Sequence, residues 1–271
     1  GTIIVRSLIF ACMKGRVCLV AIVGLFVSSK AVAQQPFQLW LTYNHTARLS
    51  NKWGYTFDLN FRTRGLFPAT AALSAARMGA SYQLKSGARI IAGYAWFGTH
   101  VQNRQQSFLH ENRIYEQIQW GRTRPAMQIA QRVRLEQRFR EAFFSDSTDK
   151  SWVAFTFRAR YMIQLQGPIS RKRGTDEVNW SWQAANEIFL HAGEGLNNNF
   201  FDQNRTLVGA VYSPDKKIDI ALLYQLIIQR QPIAQTTQLI NSVRLTFFHK
   251  FDFRDATRRR DRTPVIPSMS D

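Results

Sequence analysis

Hydrophobic and polar residues alternate along residues 127–165, on either side of the polar segment 145–149. A period of two predicts β-strands, because successive side chains of a strand point to opposite faces of the sheet. One face of the pattern carries Arg132, Arg134, Glu136, Arg138, Arg158 and Arg160. The other face is rich in Phe, Tyr, Ile and Leu. A charged stripe behind an apolar wall is typical of a transmembrane β-barrel, which has lipid outside and a polar lumen.

The same alternation predicts eleven strands along the chain. They cover 37–49, 55–64, 77–84, 89–97, 109–120, two runs within 127–165, 178–191, 205–212, 218–229 and 239–253. Several are long enough to cross a bilayer, which takes roughly 9–11 tilted residues. Bacterial single-chain barrels have an even number of strands, so we expect an error near 167–176 or 193–204. The predicted fold is all-β, an antiparallel up-and-down transmembrane β-barrel of 10–12 strands, with 12 preferred.

Connections and aromatic residues follow the same plan. Short turns such as 85–87 and 213–216 alternate with long connections such as 140–150 and 193–204, which predicts turns at one rim and loops at the other. The last strand alternates aromatic residues up to Phe253, similar to the final strand that barrel assembly machineries recognise. Most tryptophans fall near strand ends, where aromatic girdles lie. They are Trp40, Trp53, Trp96, Trp120, Trp152, Trp180 and Trp182.

The beginning of the chain predicts a cleaved signal peptide at residues 13–33. A basic segment from Met13 to Arg16 precedes the apolar run 17–27, and Ala31-Val-Ala33 supplies small residues for cleavage. The apolar run is too short for a spanning anchor helix, which takes about 20 residues. We interpret residues 1–12 as an over-extended reading frame. The mature chain is then expected to contain a barrel at 34–253 and a basic disordered tail at 254–271.

Composition narrows the possible functions. The chain has 36 Lys and Arg residues against 18 Asp and Glu, and removing the four basic residues before the cleavage motif leaves a formal charge of +14. Such a charge is typical of nucleic-acid binding, but arginines that alternate along strands of an exported chain favour a basic lumen or contact with anionic lipid head groups. Both cysteines, Cys12 and Cys18, precede the predicted cleavage site. The mature chain therefore offers no disulfide and no thiolate ligand.

Several segments together resemble one known family. They are Trp40-Leu-Thr-Tyr43, Trp53 with Arg62, His110-Glu-Asn-Arg113, Arg132-Val-Arg-Leu-Glu-Gln-Arg-Phe139, Arg158-Ala-Arg-Tyr161, Asn186-Glu187 and Phe201-Asp-Gln-Asn-Arg205. This ordered set resembles domain-of-unknown-function family 2490, predicted outer-membrane barrels of Gram-negative bacteria. The resemblance covers essentially the whole mature chain. It implies a fold and a location, but the family has no established activity and supplies no catalytic residue.

The candidate site is the polar face of the strands. It comprises Asp58, Arg62, Arg64, Glu111, Arg113, Arg132, Arg134, Glu136, Arg138, Arg158, Arg160, Glu187, Arg205, Asp219 and Arg244. One hypothesis is a structural salt-bridge network that fills a narrow lumen. The other is a narrow pore that prefers anions, because the set has ten arginines and five carboxylates. Eight strands enclose only side chains and sixteen leave a channel, so the expected strand number does not decide between them.

An enzyme is not predicted, and an outer-membrane hydrolase acting on lipid or peptide is kept as the alternative function. The five histidines (His45, His100, His110, His191 and His249) are accompanied by no serine in a nucleophile elbow and no paired metal-ligand motif. We therefore expect no metal and no cofactor.

The expected partners are those of an outer-membrane barrel. They are the lipids of that membrane, the barrel assembly machinery and, for a conducting lumen, small anionic solutes; nucleic acid is not expected. Lipid contact is predicted for Phe57, Leu59, Phe155, Phe157, Tyr161 and Leu222, which lie on the apolar face of their strands.

Overall fold

The computed structural model describes residues 32–34, 37–65, 71–100, 108–124, 126–143, 150–172, 174–175, 177–193, 200–230, 236–254 and 269. Within these ranges every regular element is a strand. The strands are β1 (Val32–Gln34), β2 (Gln38–Arg48), β3 (Trp53–Thr63), β4 (Ala71–Gln83), β5 (Arg89–His100), β6 (Phe108–Thr123), β7 (Gln128–Phe143), β8 (Lys150–Arg171), β9 (Val178–Gly193), β10 (Phe201–Tyr212), β11 (Ile218–Arg230) and β12 (Thr237–Asp252). The described residues include no helix that could span a membrane.

The strands β2 to β12 form one sheet in chain order that closes into a barrel. Consecutive strands pair antiparallel, whereas β12 pairs parallel with β2, from Ser242 opposite Gln38 to Asp252 opposite Arg48. We call this junction the parallel seam. An up-and-down barrel with an odd number of strands must close in this way, because the first and last strands run in the same direction. The short β1 also pairs parallel with β12 and continues the seam beyond β2.

The preference for twelve strands is therefore wrong, whereas the eleven strands recognised in the sequence are all present. The even-number rule holds for barrels that close antiparallel, and a parallel seam removes the need for another strand. Residues 167–171 continue β8, and a hydrogen bond from Lys172 N–H to the Glu177 carbonyl joins the two ends of the connection to β9. Residues 194–199, in the second suspected region, lie outside the described part of the chain.

The connections separate into two rims, as predicted. Short turns at 49–52, 84–88, 124–127, 172–177 and 213–217 lie at one end of the barrel, which we call the turn rim. The opposite end, the loop rim, carries the connections after β3, β5, β7, β9 and β11. In the turn after β4, Leu84 N–H donates to the Ala88 carbonyl at 2.8 Å, and Gly87 takes a φ of 87°, which glycine adopts without steric cost.

The outer face of the barrel is mainly apolar, although it carries Glu116 of β6, which accepts hydrogen bonds from Gln137. All six side chains predicted to contact lipid lie on it, with 36–57% of their surface exposed. Of the tryptophans predicted to form girdles, Trp53, Trp96, Trp120, Trp180 and Trp182 share the outward face near strand ends. The prediction that Trp40 belongs to a girdle is wrong, because Trp40 faces the lumen and is only 1% exposed. The side chain of Trp152 lies outside the described residues.

Apolar side chains fill part of the interior. One buried cluster joins Ala130, Met162, Ala185, Leu207, Val211, Ala221, Leu223, Phe248 and Met269. Met269 is the single residue of 255–271 that the structure describes. On the other side, Gly79 and Gly93 pair across β4 and β5, and a Cβ on either would lie 2.7–2.8 Å from the Tyr115 hydroxyl. The two glycines therefore leave space for the Tyr115 side chain to lie across β5 and β4 inside the barrel.

Candidate functional site: the arginine-lined lumen

Thirteen of the fifteen predicted site residues meet in the lumen or at its wall, in three groups. Those from β6 to β9 form the ion-pair network with Asp202 of β10; its predicted members are Glu111, Arg113, Arg132, Arg134, Glu136, Arg138, Arg158, Arg160 and Glu187. Asp58 forms a separate pair with Arg77. Arg62, Arg205 and Arg244 surround Trp40.

Two predicted residues lie apart from these groups. Arg64 follows the end of β3 and donates to the His100 carbonyl. Asp219 lies near the turn rim, where it accepts a hydrogen bond from Ser213 Oγ at 2.7 Å and pairs with Lys250. Both were predicted from alternation alone, which does not record how far along the barrel a side chain lies.

Glu136 is the centre of the ion-pair network. It is 2% exposed, and its two oxygens lie 2.7 Å from Arg160 Nη1 and 3.0 Å from Arg113 Nη1. Arg134 and Arg158 approach at 3.8 and 3.9 Å. Four cations around one buried carboxylate hold it firmly in its charged form, since each lowers the free energy of the anion.

The remaining carboxylates extend the network across the lumen. Glu187 lies 2.8 Å from Arg132 and 2.9 Å from Arg160, which links it to Glu136. Glu111 accepts hydrogen bonds from Arg113 at 2.8 Å and from two nitrogens of Arg138. The network is therefore continuous from β6 to β9 and joins strands that are far apart in sequence.

Asp202 and Arg77 were missed in the sequence. Asp202 lies 2.7 Å from Arg158 and is 4% exposed. A register shift between Phe201 and Gln203 turns it inward beside its neighbour Gln203, which simple alternation cannot reveal. Arg77 pairs with Asp58 at 2.7 Å, directly across β3 and β4. The sequence did contain a signal for Arg77, because this residue begins the predicted strand at 77–84.

Aromatic rings inside the lumen pack against the arginine side chains. The Arg113 guanidinium lies 3.6 Å from the Phe97 ring centroid, and Arg134 lies 4.7 Å from that of Tyr115. Cation–π contacts of this kind stabilise a desolvated guanidinium while leaving its edge free to donate hydrogen bonds. The interior is thus a packed mixture of charge and aromatic surface.

Three arginines surround Trp40, and we call these four residues the Trp40 cluster. The centroid of the Trp40 ring lies 3.6 Å from the guanidinium carbon of Arg62, 5.1 Å from that of Arg205 and 5.7 Å from that of Arg244. Arg62 on β3 and Arg244 on β12 pair in register with Trp40 on either side, so the parallel seam creates this arrangement.

Arg62 and Arg205 have neutral hydrogen-bond partners. Arg62 Nε donates to Asn60 Oδ1 at 2.9 Å, and Arg205 Nε donates to Gln203 Oε1 at 3.3 Å. Among the described residues, neither arginine has a carboxylate oxygen within 4.0 Å of its side-chain nitrogens. Their charges are therefore not neutralised in the manner of the ion-pair network.

The histidines do not form a recognisable catalytic group. On the outer face, Tyr43 Oη is 3.2 Å from His249 Nδ1, and His45 Nε2 is 3.2 Å from Tyr55 Oη. In the part of the chain that the structure describes, no group of three or more His, Cys, Asp or Glu residues could hold a metal ion. Whether the protein is an enzyme stays a prediction.

Fold and site together define a class of protein: a closed β-barrel with an apolar outer face and an arginine–carboxylate interior. The chain belongs to the protein-of-unknown-function family DUF2490, whose profile matches residues 37–238, from just before β2 into β12. The family resemblance drawn from the sequence motifs is thereby confirmed. No curated protein matches the chain.

Proposed function

We propose that the protein is an integral outer-membrane β-barrel whose lumen is closed by a structural ion-pair network. The observation that carries this proposal is the inverted polarity of its two faces. Leu59, Met78, Phe157 and Leu222 are 45–64% exposed, while charged residues of the interior such as Glu187 are 2% exposed. A water-soluble barrel favours the opposite arrangement, whereas lipid stabilises apolar side chains outside and leaves polar ones for the lumen.

The predicted signal peptide supports export to that membrane. Residues 1–31 lie outside the described part of the chain. Cleavage after Ala33 would remove two of the three residues of β1 and leave only Gln34. The barrel does not depend on β1 for closure, because β2 and β12 share eleven register pairs of their own. Membrane lipids and the barrel assembly machinery are the partners we propose, the latter from the aromatic alternation that ends at Phe253.

A structural role for the lumen follows from the density of its contacts. Arg132 is 1% exposed and Arg160 is 4% exposed, although both are charged. Buried charges are stable only when they are paired and hydrogen-bonded. The network satisfies this requirement by tying β6, β7, β8 and β9 together, and the apolar cluster that includes Leu223 fills space beside it.

Replacing Phe157 with Arg tests the assignment of the lipid-facing side. Phe157 lies well inside β8 and is 50% exposed. An arginine at the centre of the lipid-facing surface should lower the free energy of unfolding by about 2–4 kcal/mol. The measurement is urea unfolding after refolding into vesicles, with Thr175→Arg in the turn after β8 as the matched control. Equal stability of Phe157→Arg and wild type would contradict the assignment.

Two measurements on cells and gels test the location itself. Fractionation should recover the mature chain, beginning near Gln34, in outer membranes, and the folded barrel should migrate differently on gels before and after heating. Recovery of the chain as a soluble periplasmic protein would contradict the proposal.

A narrow anion-preferring pore is the second candidate, and the surplus of arginine in the lumen favours it. The thirteen predicted residues of the lumen, together with Arg77 and Asp202, comprise ten arginines and five carboxylates. Fixed positive charge lowers the barrier for anions and raises it for cations. Small anionic solutes would be the partners of such a pore.

A further inference from the structure

The Trp40 cluster gathers three arginines, and Glu187, which lies opposite Arg205 in register, already binds Arg132 and Arg160. Arg205 is 6% exposed and its Nε donates to the neutral Gln203, although the same lumen supplies carboxylates to the arginines of β6 to β8. Removing a guanidinium from water is costly unless an anion lies beside it. The cluster therefore carries surplus positive charge, which an anion from solution would balance.

The geometry of the cluster favours an anion with several oxygens. Arg62, Arg205 and Arg244 approach the same ring from β3, β10 and β12, with their guanidinium carbons 3.6–5.7 Å from its centroid. A phosphoryl group carries up to two charges and at least three acceptor oxygens, and guanidinium forks match those oxygens in pairs. A carboxylate has one charge and two oxygens, which suits a single arginine better.

The cluster lies toward the loop rim. Trp40 is the third residue of β2, and Arg62 is the second-last residue of β3, so both lie close to that end of the barrel. Arg62 is half-buried, in contrast to the fully buried Trp40, and so offers part of its side chain to solvent. Arg62 is therefore the most solvent-accessible arginine of the cluster.

We propose that the Trp40 cluster is a binding site for a phosphoryl group, either free phosphate or a phosphate ester, held by Arg62 and Arg205 above the Trp40 ring. The site goes beyond the structural role of the lumen. It depends on the local arrangement of the arginines and holds whether or not the barrel conducts ions.

The test measures the melting temperature of the full chain refolded in a lipid-free, phosphate-free maltoside detergent. Inorganic phosphate is titrated against chloride and acetate at equal ionic strength. The Tm of the wild type should rise and saturate, by roughly 5–10 °C at about a hundredfold excess over Kd. Chloride and acetate should give no saturable rise.

Two variants separate the site from a general salt effect. Arg62→Gln combined with Arg205→Gln should abolish the phosphate response and leave the Tm in phosphate-free buffer unchanged or higher, because uncompensated charge has been removed. Arg89→Gln is the matched control, since Arg89 also donates to a side-chain amide, that of Gln119, but lies at the turn rim. It should keep the full phosphate response.

Equilibrium dialysis of labelled phosphate against the wild type needs no variant and should show saturable binding. A parallel experiment with vesicles containing phosphatidylglycerol, in place of free phosphate, distinguishes the source; a response only there assigns the site to a lipid head group. The proposal is wrong if neither source gives a saturable response, if acetate acts as strongly as phosphate, or if the double variant responds like the wild type.

Discussion

The ion-pair network and the Trp40 cluster use the same side chain in opposite electrostatic settings. In the network each arginine reaches a buried carboxylate, and Glu136 alone is approached by four of them. In the Trp40 cluster, Arg62 and Arg205 donate to side-chain amides and stack on an aromatic ring. The network is complete without a ligand, whereas the cluster leaves charge for one.

The difference originates in the residues that share the inward face of each strand. Beside the arginines of β6, β7 and β8 the inward positions include Glu111, Glu136 and Glu187. Around Trp40 the inward neighbours Thr42, Asn60 and Ser242 are neutral, and Glu187, opposite Arg205, is shared with Arg132 and Arg160. The supply of carboxylates on the inward face therefore distinguishes the structural arginines from those that carry surplus charge.

Loss of the central carboxylate should have the largest effect. Glu136→Gln leaves Arg113 and Arg160 without their shared anion, which should lower the free energy of unfolding by about 3–5 kcal/mol. Urea unfolding of the refolded barrel, followed by tryptophan fluorescence, measures this change. Glu177→Gln at the turn rim is the matched control and should have little effect. Equal losses in the two variants would show that the network contributes no more than a surface pair.

Single arginine substitutions compare the two regions directly. Arg160→Gln removes charged hydrogen bonds to both Glu136 and Glu187. This substitution should lower the free energy of unfolding by about 1.5–3 kcal/mol. Arg205→Gln should lower the free energy of unfolding less than Arg160→Gln in phosphate-free buffer, because Glu187 opposite Arg205 keeps its ion pairs with Arg132 and Arg160. Both are measured by the same urea titration. A larger loss for Arg205→Gln would place Arg205 among the structural arginines.

The smallest expected effect is a pH dependence at the turn rim. Hydrogen bonds from Lys216 and Lys172 lower the pKa of Glu177 below its ordinary value. A carboxyl whose folded pKa is lowered stabilises the fold above its unfolded pKa of about 4.3, and this stabilisation is lost as the pH falls through the folded pKa. The wild type should melt slightly above Glu177→Gln at pH 7, and the difference should vanish in acid. A difference that persists in acid would exclude the ion pairs as its cause.

Much of the barrel could be predicted because alternation reports directly on the two faces of a strand. The outward-facing residues and the network members of β6 to β9 follow from this pattern alone. The closure could not be predicted, since parallel pairing of β2 with β12 depends on where two distant segments meet. Asp202 was hidden by a register shift, and Trp40 resembled a girdle residue until its register with Arg62 and Arg244 was known.

Single-channel recording of the refolded wild-type barrel in a planar bilayer tests the closed lumen most directly. The ion-pair network and the apolar cluster should together prevent conduction, so the recording should show no discrete current steps. Anion-selective steps would contradict this account. A shift of their reversal potential toward cations in the Arg134→Gln, Arg160→Gln double variant would then assign the selectivity to these arginines and establish the narrow pore instead.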